Sequence, residues 1–304
     1  MERLAEALTE LSPDLVVVLG DRYEMLAAAL AAFFLTLPIA HLHGGEVTHG
    51  SLDDSARHAI TKLSQYHLVS NEEARQRVIQ LGEDPARVWL TGAPGLDGVR
   101  TGERATREEL AAALDLPALG RFVLVTYHPV TTDGTESDTG LEALMAVLAA
   151  LHDHAVIITG ANADAGGGEI NRRLAAFAAR HPTRVRVRSS LGRKLYLTAM
   201  QACDAVIGNS SSGLTEAPFL KKPSVDIGTR QQGRPRAVSV IGCAPDSASI
   251  SAAVARALSP EFAQIASEAV SLYGDGRSGP GIAALLMQLA GQPVIAAKRF
   301  YDIP

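Results

Sequence analysis

The stretch LVVVL occupies residues 15–19, and GDRYE follows it at residues 20–24. A short, uninterrupted apolar run rich in β-branched residues is typical of a parallel strand buried on both faces, so we predict a central strand here. Similar runs predict strands at residues 39–42, 67–70, 88–91, 122–127, 155–159, 185–187, 205–207 and 224–227. Ala-rich helical segments lie between them, at residues 22–35, at residues 54–65 and through Arg75 and Gln80. This alternation predicts parallel βαβ units.

A stretch rich in glycine, proline and charged residues, residues 92–109, separates two series of predicted strands. The chain has 304 residues, whereas one domain usually has about 100–200, so two domains are expected. We therefore predict the α/β class, with two doubly wound, Rossmann-like domains at residues 1–110 and 111–285. Ligands of open parallel sheets bind beyond the carboxyl ends of the strands, so the residues after each strand are the functional candidates.

The composition is that of an ordinary globular protein, with 47% hydrophobic and 20% charged residues. The formal charge of −5 and the scattered Lys and Arg residues argue against nucleic-acid binding. The apolar runs are too short to span a bilayer, so no membrane association is expected. No secretory signal is visible, and Cys203 and Cys243 lie in unrelated contexts, which favours a reducing cytoplasm over a disulfide framework.

The turn GNSSSG at residues 208–213 lies between a predicted strand and a helical stretch at residues 214–220. Hydroxyl groups and free backbone N–H groups at a helix start suit a diphosphate, and glycine allows the ligand to approach closely. Candidate ligand contacts are Asn209, Ser210 and Ser211, while Glu216 could accept hydrogen bonds from a ribose. The alternative is that the serines and the asparagine only cap the helix.

Two further polar sites follow strands of the second domain. GTRQQGR at residues 228–234 carries two arginines, and the forked guanidinium of Arg230 matches phosphate oxygens. His128 follows the strand at residues 122–127 and could donate a hydrogen bond to a phosphate. The alternatives are solvated surface arginines and a histidine with a structural role.

Ionisable groups cluster at strand ends and at a helix start in the first domain. They are Asp21 and Arg22, His43 and Glu46, and Asp53 and Asp54. A carboxylate directly after a buried strand is costly unless it lies at a cleft or is paired, for instance Asp21 with Arg22. For Asp53 and Asp54, capping and compensation of the helix dipole are the alternative to catalysis.

A metal site is a competing interpretation of the same cluster. His41 and His43 alternate along one strand, and Asp53, Asp54 or His58 could complete a ligand set. No second ligand pair has the spacing of known metalloenzymes, so acid/base groups explain the cluster better and no metal is expected. The three glycines at residues 166–168 lack the strand–turn–helix setting of a dinucleotide-binding fingerprint.

Six motifs resemble those of the hydrolysing UDP-N-acetylglucosamine 2-epimerases of bacterial sialic-acid pathways, which are related to the non-hydrolysing 2-epimerases. They are LGDRYE (19–24), HLHGGE (41–46), RHAITK (57–62), HPVTT (128–132), GNSS (208–211) and GTRQ (228–231). The resemblance implies a GT-B-like fold, with a UDP-sugar between two Rossmann-like domains and with no cofactor. It also implies that residues 286–304 pack back on the first domain.

The resemblance further implies a reaction and roles for residues. UDP leaves through a 2-acetamidoglucal-like intermediate, and water then gives UDP and the C2-inverted free sugar, which is N-acetylmannosamine when UDP-N-acetylglucosamine is the substrate. Asp21 and Asp53 are the implied acid/base residues. His43 stands where many relatives have a catalytic glutamate, so His43 or Glu46 is the further catalytic candidate. The implied UDP-sugar contacts are Arg22, His128, Asn209, Ser210, Ser211, Glu216 and Arg230.

Relatives in this family begin with a further segment that carries the first strand, so the first domain is expected to lack its N-terminal strands. Other functions stay open: a hydrolysing 2-epimerase of a UDP-2,4-diacetamido-trideoxy sugar for legionaminic acid, a non-hydrolysing 2-epimerase, an inactive UDP-binding remnant and a metal hydrolase. A homo-oligomer is compatible with the apolar helical faces, which suit a core or an interface alike.

Overall fold

The computed structural model describes residues 1–49, 51–130, 134–162, 166–292 and 298–303. The strands are β1 (Val16–Leu19), β2 (Ile39–Leu42), β3 (Tyr66–Val69), β4 (Val88–Leu90), β5 (Phe122–Thr126), β6 (Ala155–Thr159), β7 (Val185–Arg188), β8 (Ala205–Gly208), β9 (Ser224–Ile227) and β10 (Val240–Cys243). The helices are α1 (Glu2–Leu11), α2 (Tyr23–Phe34), α3 (Asp53–Leu63), α4 (Glu72–Gln80), α5 (Gly95–Thr101), α6 (Arg107–Ala113), α7 (Gly134–Ala150), α8 (Gly167–Arg180), α9 (Gly192–Ala202), α10 (Glu216–Phe219), α11 (Ser247–Ala257), α12 (Pro260–Glu268) and α13 (Ser278–Ala290). No helix within the described ranges is both long enough and apolar enough to cross a bilayer.

Four parallel strands form the first sheet, in the order β1-β2-β3-β4. β2 and β3 are buried along their whole length. On one face, Ile39 packs with residues of α2 and α3 such as Ile60. On the other face, Leu42 and Leu68 pack with Ile282 of α13. Helices on both faces explain why these strands are continuous apolar runs.

β1 lies at the edge of the first sheet, so the prediction of a central strand at residues 15–19 was wrong. Val18 is buried, but the side chains of Val17 and Leu19 are 47% and 53% exposed. Among the described residues, no strand pairs with the outer edge of β1, and α13 covers β2 and β3 instead. The apolar run therefore predicted a parallel strand correctly, but it did not predict the position of that strand in the sheet.

Six parallel strands form the second sheet, in the order β10-β9-β8-β5-β6-β7. β5 and β8 are central and pair in register, with Thr126 opposite Gly208. Residues such as Val125 pack with α7, α8 and α11 on one face, and residues such as Leu124 pack with α6 and α9 on the other. β10 was not predicted, because its residues are only partly buried and include Gly242.

The chain divides into two compact units. The first contains residues up to Thr48, then Leu52–Arg100, and the chain from Tyr273 onward. The second contains His49–Ser51 and Thr101–Leu272. The structure thus ends the first segment near residue 100 instead of 110. It also returns the chain to the first unit at residue 273, before the predicted position 286.

A buried ion cluster joins the C-terminal residues to the first sheet. The carboxylate of Glu83 accepts hydrogen bonds from Lys62 Nζ (2.6 Å), Lys298 Nζ (2.6 Å) and His67 Nε2 (3.0 Å). Burial raises the pKa of Glu83, but the hydrogen bonds from His67, Lys298 and Lys62 outweigh this effect. The net pKa is lowered to about 2. The Tyr301 amide also donates to the Gly82 carbonyl (2.9 Å). Residues 298–301 are therefore anchored to the first unit by charge as well as by backbone hydrogen bonding.

Candidate active site

Arg57 organises the polar end of the first sheet. Its side chain is only 2% exposed. Nη1 donates to the Glu46 carbonyl (2.7 Å) and to Asp54 Oδ1 (3.0 Å), while Nη2 donates to Asp21 Oδ2 and to Thr48 Oγ1 (3.2 Å). One guanidinium thus binds Asp21 after β1, the loop after β2 and the first turn of α3. A buried cation of this kind is tolerated because carboxylates and carbonyls surround it.

Arg22 does not pair with Asp21, so the pairing suggested from the sequence was wrong. The Arg22 side chain is mostly exposed, lies 3.5 Å from Glu24 and stands over the Tyr23 ring at 5.8 Å. Asp21 is instead held by Arg57, a residue 36 positions further along the chain. Arg22 remains a predicted substrate contact.

A histidine–carboxylate pair follows β2. His43 Nδ1 lies 2.6 Å from Glu46 Oε1, and Ser70 Oγ donates to the same oxygen at 2.6 Å. Glu46 is buried, whereas the His43 side chain is 22% exposed. The structure therefore brings the two alternative catalytic candidates together, and it leaves the imidazole as the more accessible of the two.

Asp53 and Asp54 lie in the first turn of α3, but neither caps the helix. The N-cap position is Leu52, which has no side-chain cap. Asp54 Oδ1 accepts the Thr48 amide hydrogen at 2.6 Å in addition to Arg57. Asp54 thus shapes the loop before α3. Asp53 is half-buried at the same turn, and its catalytic role stays a prediction.

His41 is buried and neutral. Nε2 lies 2.8 Å from the Gly20 carbonyl and Nδ1 lies 3.1 Å from Thr61 Oγ1. Burial lowers the pKa of His41 to about 3. His43 follows the end of β2 with a positive φ of 64°, so the two rings do not share one strand face. In the part of the chain that the structure describes, no three His, Cys, Asp or Glu side chains could together hold a metal ion.

Asn209 joins the ends of β5 and β8 in the second unit. It is fully buried; its Oδ1 accepts the His128 amide hydrogen (2.7 Å) and its Nδ2 donates to the His128 carbonyl (2.8 Å). The structure thus gives the Asn209 side chain a structural role, and its contact with the ligand stays a prediction. His128 Nδ1 accepts from the Asn162 amide (3.1 Å), which places the ring proton on Nε2. Thr131 and Thr132 of the HPVTT motif lie outside the described residues.

The Ser-rich turn does not lead into one continuous helix. A 3₁₀ turn spans Ser211–Gly213, and α10 is a single turn of four residues. Ser210 Oγ accepts the Ser212 amide hydrogen (3.4 Å), and Thr215 Oγ1 donates to Glu216. The helical stretch predicted at residues 214–220 is thus shortened to the single turn Glu216–Phe219. Ser210, Ser211 and Glu216 remain predicted ligand contacts.

Arg230 lies beside the end of β5. Its Nε donates to the Pro129 carbonyl (3.2 Å) and its Nη1 donates to the Asn209 carbonyl (3.3 Å). Glu136 of α7 holds the same loop, because it accepts hydrogen bonds from the Thr229 amide (2.6 Å) and hydroxyl (2.7 Å). The second unit therefore brings together the predicted residues His128 and Arg230.

A sequence model described as UDP-N-acetylglucosamine 2-epimerase matches residues 1–287. The chain belongs to this family. A Campylobacter jejuni relative, named GDP/UDP-N,N'-diacetylbacillosamine 2-epimerase (hydrolyzing), is 38% identical over 78% of this chain and 62% of its own length. A Legionella pneumophila relative, named UDP-N,N'-diacetylbacillosamine 2-epimerase (hydrolyzing), is 36% identical over 76% of this chain and 60% of its own length.

The fold agrees with that of a solved 2-epimerase. The structure of UDP-GlcNAc 2-epimerase from Neisseria meningitidis, bound to UDP-GlcNAc, superposes with a TM-score of 0.83 at 17% identity, covering 94% of this chain and 80% of that one. The expectation of a GT-B-like α/β fold with two Rossmann-like domains is confirmed. The matched region spans 62% and 60% of the length of the two relatives above.

Three residues that hold the candidate residues of the two units were not among the candidates from the sequence. Arg57 belongs to the RHAITK motif, and its i, i+3 spacing from Asp54 on a helix is a signal of an ion pair. Ser70 directly follows β3, which is where functional residues were expected. Glu136 carried no signal, because its partner Thr229 is 93 residues away.

Proposed function

We propose that this protein is a hydrolysing 2-epimerase that acts on a UDP-linked 2-acetamido sugar. Water and the UDP-sugar give UDP and the free sugar with inverted configuration at C2. The observation that carries this proposal is the cluster at the end of the first sheet, where Arg57 holds Asp21 and Glu46 holds His43. Family membership supports 2-epimerase chemistry, and this cluster contains groups able to move protons.

The proposed chemistry needs groups for two kinds of step. A base must take the C2 proton while the C1–O bond to UDP breaks, and water must then add at C1 while C2 is protonated. The proposed acid/base groups are Asp21 after β1, His43 after β2 and Asp53 at the start of α3, all in the first unit. The Arg57 guanidinium orients the Asp21 carboxylate through a charge-assisted hydrogen bond.

The second unit offers donors suited to a diphosphate. His128 can donate a hydrogen bond through Nε2–H, because its Nδ1 accepts one from the Asn162 amide. Arg230 is fixed next to it by two backbone carbonyls. A positioned guanidinium and a positioned N–H donor both stabilise the negative charge that develops on a departing phosphate. Ser211 of the Ser-rich turn is the further proposed contact.

The sugar is proposed to be a 2,4-diacetamido-trideoxy sugar. The Campylobacter jejuni and Legionella pneumophila relatives, at 38% and 36% identity, are both named for diacetylbacillosamine and for hydrolysis. This reverses the order expected from the sequence motifs, which put UDP-N-acetylglucosamine first. Cytoplasmic biosynthesis of a sialic-acid-type sugar fits either substrate.

Product identification tests the proposal. The protein is incubated separately with UDP-N,N'-diacetylbacillosamine and with UDP-N-acetylglucosamine in D2O, and the products are resolved by mass spectrometry. The proposal expects free UDP and a free sugar with deuterium at C2, formed faster from the diacetamido substrate. An epimerised sugar still attached to UDP would refute hydrolysis, and faster turnover of UDP-N-acetylglucosamine would refute the substrate assignment.

Matched variants separate catalysis from binding. Asp21→Asn is expected to remove turnover while UDP still binds, and Arg230→Ala is expected to weaken UDP binding by about tenfold, as loss of one charge-assisted contact does. Glu72→Gln is the control, because Glu72 is an exposed residue of α4 whose partner is Arg75. Normal turnover by Asp21→Asn would contradict its catalytic role.

A further inference from the structure

The backbone of His43 is held in an uncommon conformation. Its φ of 64° lies in the left-handed region, which non-glycine residues seldom adopt. The His43 amide donates to the Leu68 carbonyl of β3 (3.0 Å), which fixes this conformation. Strain of this kind persists only where the surroundings determine it, and it is common at functional sites.

The hydrogen bonds around Glu46 define where the imidazole proton lies. An ionised carboxylate only accepts hydrogen bonds, so a neutral His43 ring must carry its proton on Nδ1 to bond Glu46 Oε1 at 2.6 Å. Ser70 Oγ donates to the same oxygen and accepts from Asn71 Nδ2 (3.1 Å). The Nε2 lone pair of His43 then points away from Glu46, and no described residue hydrogen-bonds it.

The loop that carries Glu46 is fixed on both sides. The Glu46 carbonyl accepts from Arg57, and the Gly45 carbonyl accepts from Arg77 Nη1 (2.5 Å). Gly45 has a φ of 76° and packs so closely on the Ala74 carbonyl that a Cβ atom would not fit. The backbone that carries Glu46 is therefore fixed, and its buried carboxylate faces the His43 ring and the Ser70 hydroxyl.

We propose that Glu46, held by Ser70, is a positioning residue that keeps His43 in the Nδ1–H form and so makes Nε2 the acceptor of the sugar C2 proton. This inference rests on the proposed function. As the C2–H bond breaks, its proton moves to Nε2, its electron pair forms the C1=C2 bond, and the C1–O pair leaves with UDP. The Glu46 carboxylate stabilises the resulting imidazolium. Water then adds across C1=C2, with its hydroxyl on C1 and a proton on C2, and the imidazolium of His43 releases its proton to solvent.

Nitrogen NMR tests the positioning without requiring turnover. The protein is labelled with ¹⁵N at its histidine rings, and the spectrum of His43 is assigned by its loss in His43→Gln among the nine histidines. The wild type is expected to show a protonated Nδ1 and an unprotonated Nε2 on His43. Glu46→Gln is expected to show a mixture of both tautomers. A wild-type ring protonated on Nε2 alone would overturn the proposal.

Kinetics then separates positioning from binding. Glu46→Gln is expected to lower kcat by about 10²-fold, with KM changed less than about twofold, because proton transfer is affected and substrate contacts are not. Ser70→Ala keeps the charge and is expected to lower kcat by about tenfold or less. Wild-type kcat in Glu46→Gln would overturn the proposal.

Two checks keep the outcomes distinct. Urea unfolding is monitored by the fluorescence of Trp89, and an unchanged midpoint establishes that a variant is folded. If Glu46→Gln does not fold, the kinetic comparison uses Ser70→Ala. Absence of turnover by the wild type with either UDP-sugar would refute the proposed function. The tautomer spectrum would then decide the positioning role of Glu46 alone.

Discussion

Replacing Glu83 by glutamine should destabilise the first unit strongly. The substitution removes the negative charge of the carboxylate to which Lys62, Lys298 and His67 donate hydrogen bonds. The two ammonium groups then lack an anionic partner. A fall in the pKa of Glu83 from 4.5 to about 2 corresponds to about 3 kcal/mol in favour of the folded state. Breaking a buried ion pair costs about 3–5 kcal/mol in other proteins, which agrees with this value.

The single tryptophan makes this prediction measurable. Trp89 is the only tryptophan of the chain, and it lies on β4 with its ring centroid 6.3 Å from that of Tyr66. Its fluorescence therefore reports unfolding of the first unit. With a urea dependence of about 2 kcal/mol per molar, the midpoint of Glu83→Gln should fall by about 1.5 M. The control Glu72→Gln, which breaks an exposed pair with Arg75, should change stability by less than about 0.5 kcal/mol.

The effect of Glu83 should depend on pH with a definite sign. Because the folded pKa is lower than the unfolded one, the stabilisation is fully present above about pH 4.5 and is lost as the pH falls towards 2. Wild type and Glu83→Gln should therefore converge in acid. A midpoint for Glu83→Gln within about 0.3 M of the Glu72→Gln control at pH 7 would refute the reasoning.

Three further substitutions test contacts in both units. Lysine in Arg57→Lys cannot make the forked contacts to Asp21 and Asp54, so turnover should fall by about 10²-fold. Turnover equal to that of the wild type would contradict the role of Arg57 in orienting Asp21. Gly45→Ala requires a side chain at positive φ against a carbonyl and should cost about 2 kcal/mol or more by Trp89 fluorescence; a neutral result would show that the loop adapts. Asn209→Ala leaves the amide and carbonyl of His128 unpaired and should lower the free energy of unfolding by about 2–4 kcal/mol. Amide exchange in β5 should then be faster, and unchanged exchange would count against the structural role.

Most strands could be predicted from the sequence because parallel strands with helices on both faces are continuous apolar runs. β2, β6 and β9 match their predicted bounds. The position of β1 could not be predicted, because an apolar run carries no information on whether another strand lies beside it. β10 lacked the apolar signal altogether, since its four residues are only partly buried.

The candidate residues were easier to find than their partners. Asp21 and His43 follow neighbouring strands of the first sheet and His128 follows a strand of the second, as the sequence predicted; their roles stay predictions. The role of Asn209 was missed, because its partner is 81 residues away. Pairings across such distances depend on the folded arrangement of strands and not on local spacing.

The exposed edge of β1 has a consequence for handling the protein. Its outer N–H and C=O groups, together with Val17 and Leu19, form a short apolar template to which a strand of another molecule can add. Any pairing of molecules through this edge is expected to increase with protein concentration. Assays of turnover and unfolding therefore belong at low micromolar concentration, and a lysine in place of Leu19 is the natural solubilising change, because a charge on an edge strand opposes intermolecular pairing.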